Sequence, residues 1–181
     1  PSHSRPLRAA AGACSRWIVS SPPPLKLDAR GQCPGRPAGF RELSRQLHGA
    51  HRAAAVVAIV GRRLDAFGCS PELAILALRR LANHVSAEQL STPPDTGSIV
   101  RSRSLPLQVS EVVQHLVRGV GDPRALASKP WATFAWALAR LPITEVLECV
   151  VTAQDVASRA PSLTPQGVAN VLWALAAARA K

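Results

Sequence analysis

The sequence predicts an all-α protein: an α-solenoid of antiparallel helix pairs with a repeat of about 37 residues, preceded by a disordered N-terminal tail. Three observations carry this. The apolar residues recur at helical spacing from residue 42 onward, with no segment alternating as a strand would. The core is made of Ala, Leu and Val, with aromatics at 4% and no Tyr or Met, a composition suited to closely packed helices. A phrase also repeats: Ala132-Thr133-Phe134-Ala135-Trp136-Ala137-Leu138-Ala139 aligns with Ala169-Asn170-Val171-Leu172-Trp173-Ala174-Leu175-Ala176, 37 positions on.

In chain order, residues 1–40 read as a basic tail. They hold 7 of the 16 prolines and, with Arg41, seven basic residues (Arg5, Arg8, Arg16, Lys26, Arg30, Arg36 and Arg41) against Asp28. No apolar periodicity is visible. The Ser- and Arg-rich, acid-poor composition is that of an organelle transit peptide, and no continuous apolar run suits a secretory signal. The chain opens on Pro1 and is expected to be part of a longer protein. Residues 41–181 form the helical domain. Val56, Val57, Ile59, Val60 and Leu64 mark a helix over 52–66. Ser70-Pro71-Glu72 reads as an N-cap, a proline at the first helical position and an acid in the first turn of a helix over 71–84. Residues 91–106, rich in Pro and Ser, read as a loop. Val109, Val112, Val113 and Leu116 give an i, i+3, i+4, i+7 face, ended by Gly121-Asp122-Pro123. Helices over 129–141, 143–158 and 165–179 complete the chain.

The repeat describes a variable helix followed by a patterned one. In the last patterned helix Thr164 is the expected N-cap, Leu163 and Val168 form a hydrophobic staple, and Val168, Val171, Leu172 and Leu175 form one face. The helix is apolar around most of its circumference and needs cover on more than one side. Its remaining stripe holds Gln166, Asn170 and Ala177, and the equivalent stripe one repeat earlier holds Lys129, Thr133 and Arg140. Glu145, Glu148, Thr152 and Asp155 give the intervening helix an acidic outward face. The patterned helices therefore lie inside, with a thin polar stripe on the concave surface.

The two phrases at 131–141 and 164–176 resemble the octotricopeptide repeats of organellar RNA-binding proteins. Similar arrays occur in FAST-kinase-like proteins and in subunits of the mitochondrial RNA-editing substrate-binding complex. The resemblance covers 51–180, most strongly 129–180. It departs from the pattern at the first repeat, which lacks the Trp phrase, and at Thr133, where Asn is usual. It implies an RNA-binding protein of the mitochondrial matrix, or alternatively a plastid, acting in RNA processing, stability or translation. Single-stranded RNA would be the partner, with other proteins of an organellar ribonucleoprotein complex. No RAP-type domain is visible, so its activity is not implied.

The net charge of +11 and pI of about 11.3 point to an anionic partner. Lys129 and Arg140 are the expected phosphate contacts, with Arg62, Arg63, Arg79 and Arg80 continuing the track. Thr133, Gln166 and Asn170 are the expected base contacts. Trp136, Leu138, Trp173 and Leu175 are assigned to the structural core of the repeat, the tryptophans as largely buried inter-repeat wedges. The four cysteines (Cys14, Cys33, Cys69 and Cys149) form no CxxC pair, which argues against a disulfide framework or zinc site and for a reduced compartment. His48 and His51 lack a third ligand. No nucleophile elbow, zinc-protease helix, phosphate loop or dinucleotide turn is present, so neither enzyme activity nor a cofactor nor a metal is expected. No apolar run reaches the length of a membrane span. The rival reading is a protein-interaction scaffold of armadillo or HEAT type without RNA.

Overall fold

A computed structural model of the chain describes residues 39–85, 105–141, 147 and 151–179. The tail expected over 1–40 lies outside these residues apart from its last two, as does most of the loop expected over 91–106. Among the described residues the protein has eight α-helices, two 3₁₀ turns and no strand. The helices are α1 (Phe40–Gly49), α2 (Ala53–Gly61), α3 (Leu64–Gly68), α4 (Pro71–His84), α5 (Leu105–Val120), α6 (Ser128–Arg140), α7 (Ala153–Arg159) and α8 (Pro165–Arg179). No described helix is long and apolar enough to cross a membrane.

The helix starts follow local chemistry. Ser70 Oγ accepts from the Leu73 amide 3.4 Å away and Pro71 opens α4, while Thr164 Oγ1 accepts from the Gly167 amide at 3.1 Å where Pro165 opens α8. Gly121, at φ 70°, supplies the left-handed residue that ends α5, and Asp122 then caps the 3₁₀ turn Pro123–Ala125.

Two expected helices are broken. The helix placed over 52–66 divides at Arg62-Arg63 into α2 and α3, and Phe67 at the second half's end is fully buried. The helix placed over 143–158 is interrupted at Val151-Thr152. Thr152 Oγ1 accepts from the Asp155 amide while the Asp155 carboxylate accepts from the Thr152 amide, a capping box that starts a new helix at Ala153. Asp155 is accordingly turned inward rather than part of an acidic outer face, and it pairs with Arg124 at 3.4 Å. Burial acts to raise its carboxyl pKa. The hydrogen bonds from Thr152 and the positive charges of Arg124 and Arg159 outweigh this and hold it below its ordinary value.

α4 is the hub: α1, α2, α3, α5 and α6 all pack on it. Its Leu73, Leu78 and Leu81 are fully buried, as are Leu47 of α1, Val56 of α2 and Leu116 of α5. Each such side chain contributes about 1.5–3 kcal/mol by leaving water. α6 packs on α4 and α8 packs on α6, so the three patterned helices lie side by side in chain order. α6 is covered almost completely, with Trp131, Phe134, Ala135, Ala137 and Leu138 at zero exposure.

α7 is also tied down by an arginine of its own. Arg159 donates to the carbonyls of Leu126, at 2.6 Å, and Arg124, and its guanidinium lies 5.0 Å from the centroid of the Trp131 ring. Gly119 allows α5 to approach α3 closely: a Cβ there would lie 2.5 Å from the Phe67 carbonyl oxygen.

The tryptophans differ from expectation. Trp131, outside the aligned phrase, is the fully buried one; Trp136 is half-buried, and Trp173 is 45% exposed. In α8 the expected apolar face is also divided. Val171 and Ala174 are buried against α6, whereas Val168 and Leu172 are 36% and 57% exposed. α8 has cover on one side where its sequence asks for two.

Candidate functional site

The alignment of α4, α6 and α8 leaves a groove of about 640 Å³ across their exposed edges. α4 contributes Arg79 and Asn83, one turn apart. α6 contributes Lys129, Thr133 and Trp136 at i, i+4 and i+7, with Ala132 at the floor. α8 contributes Thr164, Gln166, Gly167 and Asn170. Helical spacing alone places each set on one face. Lys129 and Gln166 are equivalent positions 37 residues apart, as are Thr133 and Asn170, so the groove repeats its own register.

Among the described residues, two cations and no carboxylate line the groove. The side chains of Arg79, Asn83 and Lys129 form no hydrogen bond or ion pair among the described residues. The other polar groups are pre-set. Gln166 Nε2 donates to Asn170 Oδ1 at 2.9 Å, a bond that does not use the Asn170 NH₂ group or the Gln166 side-chain oxygen. Thr133 Oγ1 donates to the Lys129 carbonyl at 3.0 Å and keeps its acceptor lone pairs. The result is a shallow wall of donors and acceptors flanked by positive charge, with one indole ring beside it. Such a surface attracts an anion and offers hydrogen bonds to neutral heteroatoms between its charges.

Five of the nine expected contact residues thus converge: Arg79, Lys129, Thr133, Gln166 and Asn170. Four do not line the groove. Arg140 Nε donates to the Ala82 carbonyl at 3.0 Å, one of the unpaired carbonyls at the end of α4, and its guanidinium lies 5.3 Å from the Trp136 centroid. It braces α6 to α4. Arg80 donates to the His48 carbonyl at 2.8 Å, at the C-terminal end of α1, where a cation suits the helix dipole. The pair Arg79-Arg80 therefore splits, because neighbours on a helix point about 100° apart. Arg62 and Arg63 lie at the α2–α3 corner, beside a separate hollow of about 550 Å³ that also holds Asp65 and Cys69.

Asn83 and Thr164 are groove residues that sequence reasoning missed. Asn83 was legible as the position one turn beyond Arg79. Thr164 was assigned only its capping role. Histidines serve the fold: His84 Nε2 is 3.1 Å from the Ala50 carbonyl and His115 Nε2 is 3.0 Å from the Leu64 carbonyl. Among the described residues no group of three His, Cys, Asp or Glu side chains could hold a metal ion.

The fold and groove define a class: among the described residues, an all-helical protein with a basic groove, lined by no carboxylate, across three adjacent helices. No protein-family model, curated protein or solved structure matches the chain.

Proposed function

We propose that this protein binds single-stranded RNA along the α4–α6–α8 groove, as a helical-repeat protein of organellar RNA processing, stability or translation. In this reading α4, α6 and α8 are the inner helices of successive pairs in an α-solenoid. The observation that carries it is the convergence of Arg79 and Lys129, whose side chains have no partner among the described residues, with Asn83, Thr133, Gln166 and Asn170 on one surface to which the described residues bring no carboxylate. The cations hold phosphates and the amides and hydroxyl touch exposed base edges. The octotricopeptide-like phrases and the transit-peptide-like composition of residues 1–40 support an organellar setting.

The test is the salt dependence of RNA binding by the full chain and by the variant carrying Arg79→Ala and Lys129→Ala. The tail is common to both proteins, so their difference reports the groove. Two lost phosphate contacts should flatten the slope of log affinity against log salt by about 1.4, at about 0.7 per phosphate on a single strand. All RNA sequences should weaken alike. Asn170→Ala should instead change the preference among homopolymers and leave the slope in place. If the double variant binds RNA with the parent slope, the groove is not the site.

The alternative, a scaffold that binds proteins, draws on a different surface: the exposed apolar side of α8.

A further inference from the structure

We infer that the outer side of α8 is a docking surface for one further α-helix, whose contacting face is built of glycine, alanine and valine like the face α8 itself lays on α6. The inference holds whatever ligand the groove takes.

It starts from how α6 and α8 meet. Gly167, Val171 and Ala174 lie at i, i+4 and i+7 on one side of α8 and are all buried. Gly167 faces Ala132: a Cβ there would lie 3.7 Å from the Ala132 Cβ. On α6, Ala132, Ala135 and Ala139 share one side and are also buried. The seam between α6 and α8 is thus small residues on small residues, which brings the two helices close.

Moving 37 residues along the chain turns Ala132, Ala135 and Ala139 into Ala169, Leu172 and Ala176. α8 therefore presents, on its far side, a version of the face that α6 uses to hold α8. There it is bare: Ala169 and Ala176 are exposed and Leu172 is 57% exposed, with Trp173 beside them at 45%. Trp173 is the equivalent of Trp136, which is half-buried where α6 has a neighbour on each side. A cluster of Leu, Trp and Ala on one helix side is costly to leave in water.

α1, which also packs on α4, has a different outer side. α1 covers the near side of α4 and turns Arg41, Glu42, Arg45 and Gln46 outward, with Glu42 paired to Arg45 and accepting from Gln46. A stack of helices needs a polar outer face where it stops. α1 supplies one and α8 does not. The occupant is specified by the seam already present: a helix with Gly or Ala at the close-approach positions fits, and one with large side chains there is held off.

The experiment extends the full chain by appending a second copy of residues 143–181 directly after Arg179, which preserves the 37-residue register. In the extended protein Trp173 should become shielded, read as reduced acrylamide quenching against the same protein with Trp173→Phe. Leu172→Asp should leave the urea midpoint of the natural-length chain unchanged, because the side chain is exposed there. In the extended chain it should lower the midpoint of the appended segment by about 1 M, because it buries an unpaired charge. Ala176→Glu should behave in the same way. Placing Leu at the appended copy's equivalents of Gly167 and Ala174 should abolish the shielding of Trp173. The inference is overturned if Trp173 stays as accessible as in the parent, or if Leu172→Asp is neutral in both proteins. It is also overturned if the natural-length chain forms a dimer that Leu172→Asp dissolves, since the occupant is then a second copy.

Discussion

Gly119→Ala adds one methyl group at the closest approach of two helices, and its cost can be worked from the structure. The new Cβ would lie 2.5 Å from the Phe67 carbonyl oxygen and 3.2 Å from both the Phe67 carbonyl carbon and the Gly68 Cα. All are backbone atoms, so no rotamer change relieves the clash, and the buried Phe67 ring anchors α3 from the other side. α5 and α3 must separate by a large fraction of an ångström, which also lengthens the 3.0 Å contact between His115 Nε2 and the Leu64 carbonyl. Forcing a methyl group into a packed contact costs about 1–3 kcal/mol. Alanine's helix preference returns at most about 1 kcal/mol, and less in a last turn. The net loss should be about 1–2 kcal/mol. Urea unfolding followed by circular dichroism reads this as a midpoint about 0.5–1 M lower with an unchanged slope. Gly68→Ala is the matched control across the contact, because its nearest neighbour would be His115 Nε2 at 3.9 Å, an ordinary separation. It should be neutral or slightly stabilising. A Gly119→Ala protein as stable as the parent would refute the α3–α5 contact as described.

Other perturbations separate the remaining features. Arg159→Ala removes the donors to two carbonyls and the cation over Trp131; it should destabilise the protein by about 1–3 kcal/mol in urea, whereas Arg118→Ala, an exposed change, should stay within about 0.5 kcal/mol. Ser70→Ala deletes the α4 cap and should cost about 1 kcal/mol, with Ser70→Gly costing less, compared by thermal midpoints. The Asp155 carboxyl titrates below its ordinary 3.8 in the folded chain, so the folded state favours the ionised form. Its contribution is present above the unfolded pKa and is lost as pH falls through the folded one. Asp155→Asn should therefore reduce the stability lost between about pH 5 and about pH 2, and a variant with the parent's acid profile would show that Asp155 is not held by its partners.

Much of the helical pattern was legible in the sequence because it rests on local chemistry. Ser70-Pro71 and Thr164-Pro165 mark helix starts in both sequence and structure, and the Val109–Leu116 face is buried as its spacing implies. The failures have tertiary causes. Thr152 and Asp155 fit the polar side of a longer helix, but the two together form a capping box, and Arg124, which pairs with Asp155, comes from elsewhere in the chain. The groove was half legible: helical spacing set which residues share a face, so Lys129 and Thr133 fell together, as did Gln166 and Asn170. Periodicity does not reveal which exposed arginine meets a carbonyl of another helix. Arg80 and Arg140 are spent on the carbonyls of His48 and Ala82, a role set by packing and invisible in the stripe. Trp173 misled for a related reason, since an apolar residue is buried only where a neighbour exists to bury it.

The groove also joins parts of the protein that differ in how firmly they are held. One wall, α4, is gripped by five other helices, while α8 rests chiefly on α6. Amide protons of α8 should therefore exchange through small, frequent openings, and those of α4 only through opening of most of the fold. A ligand spanning Arg79 and Asn170 bridges the slow region and the fast one. It would slow the opening of α8 by a factor of one plus its concentration over its Kd, and leave α4 nearly as it was. Hydrogen exchange along α8 is thus a built-in gauge of groove occupancy, calibrated in the same molecule by α4 and independent of what the ligand is.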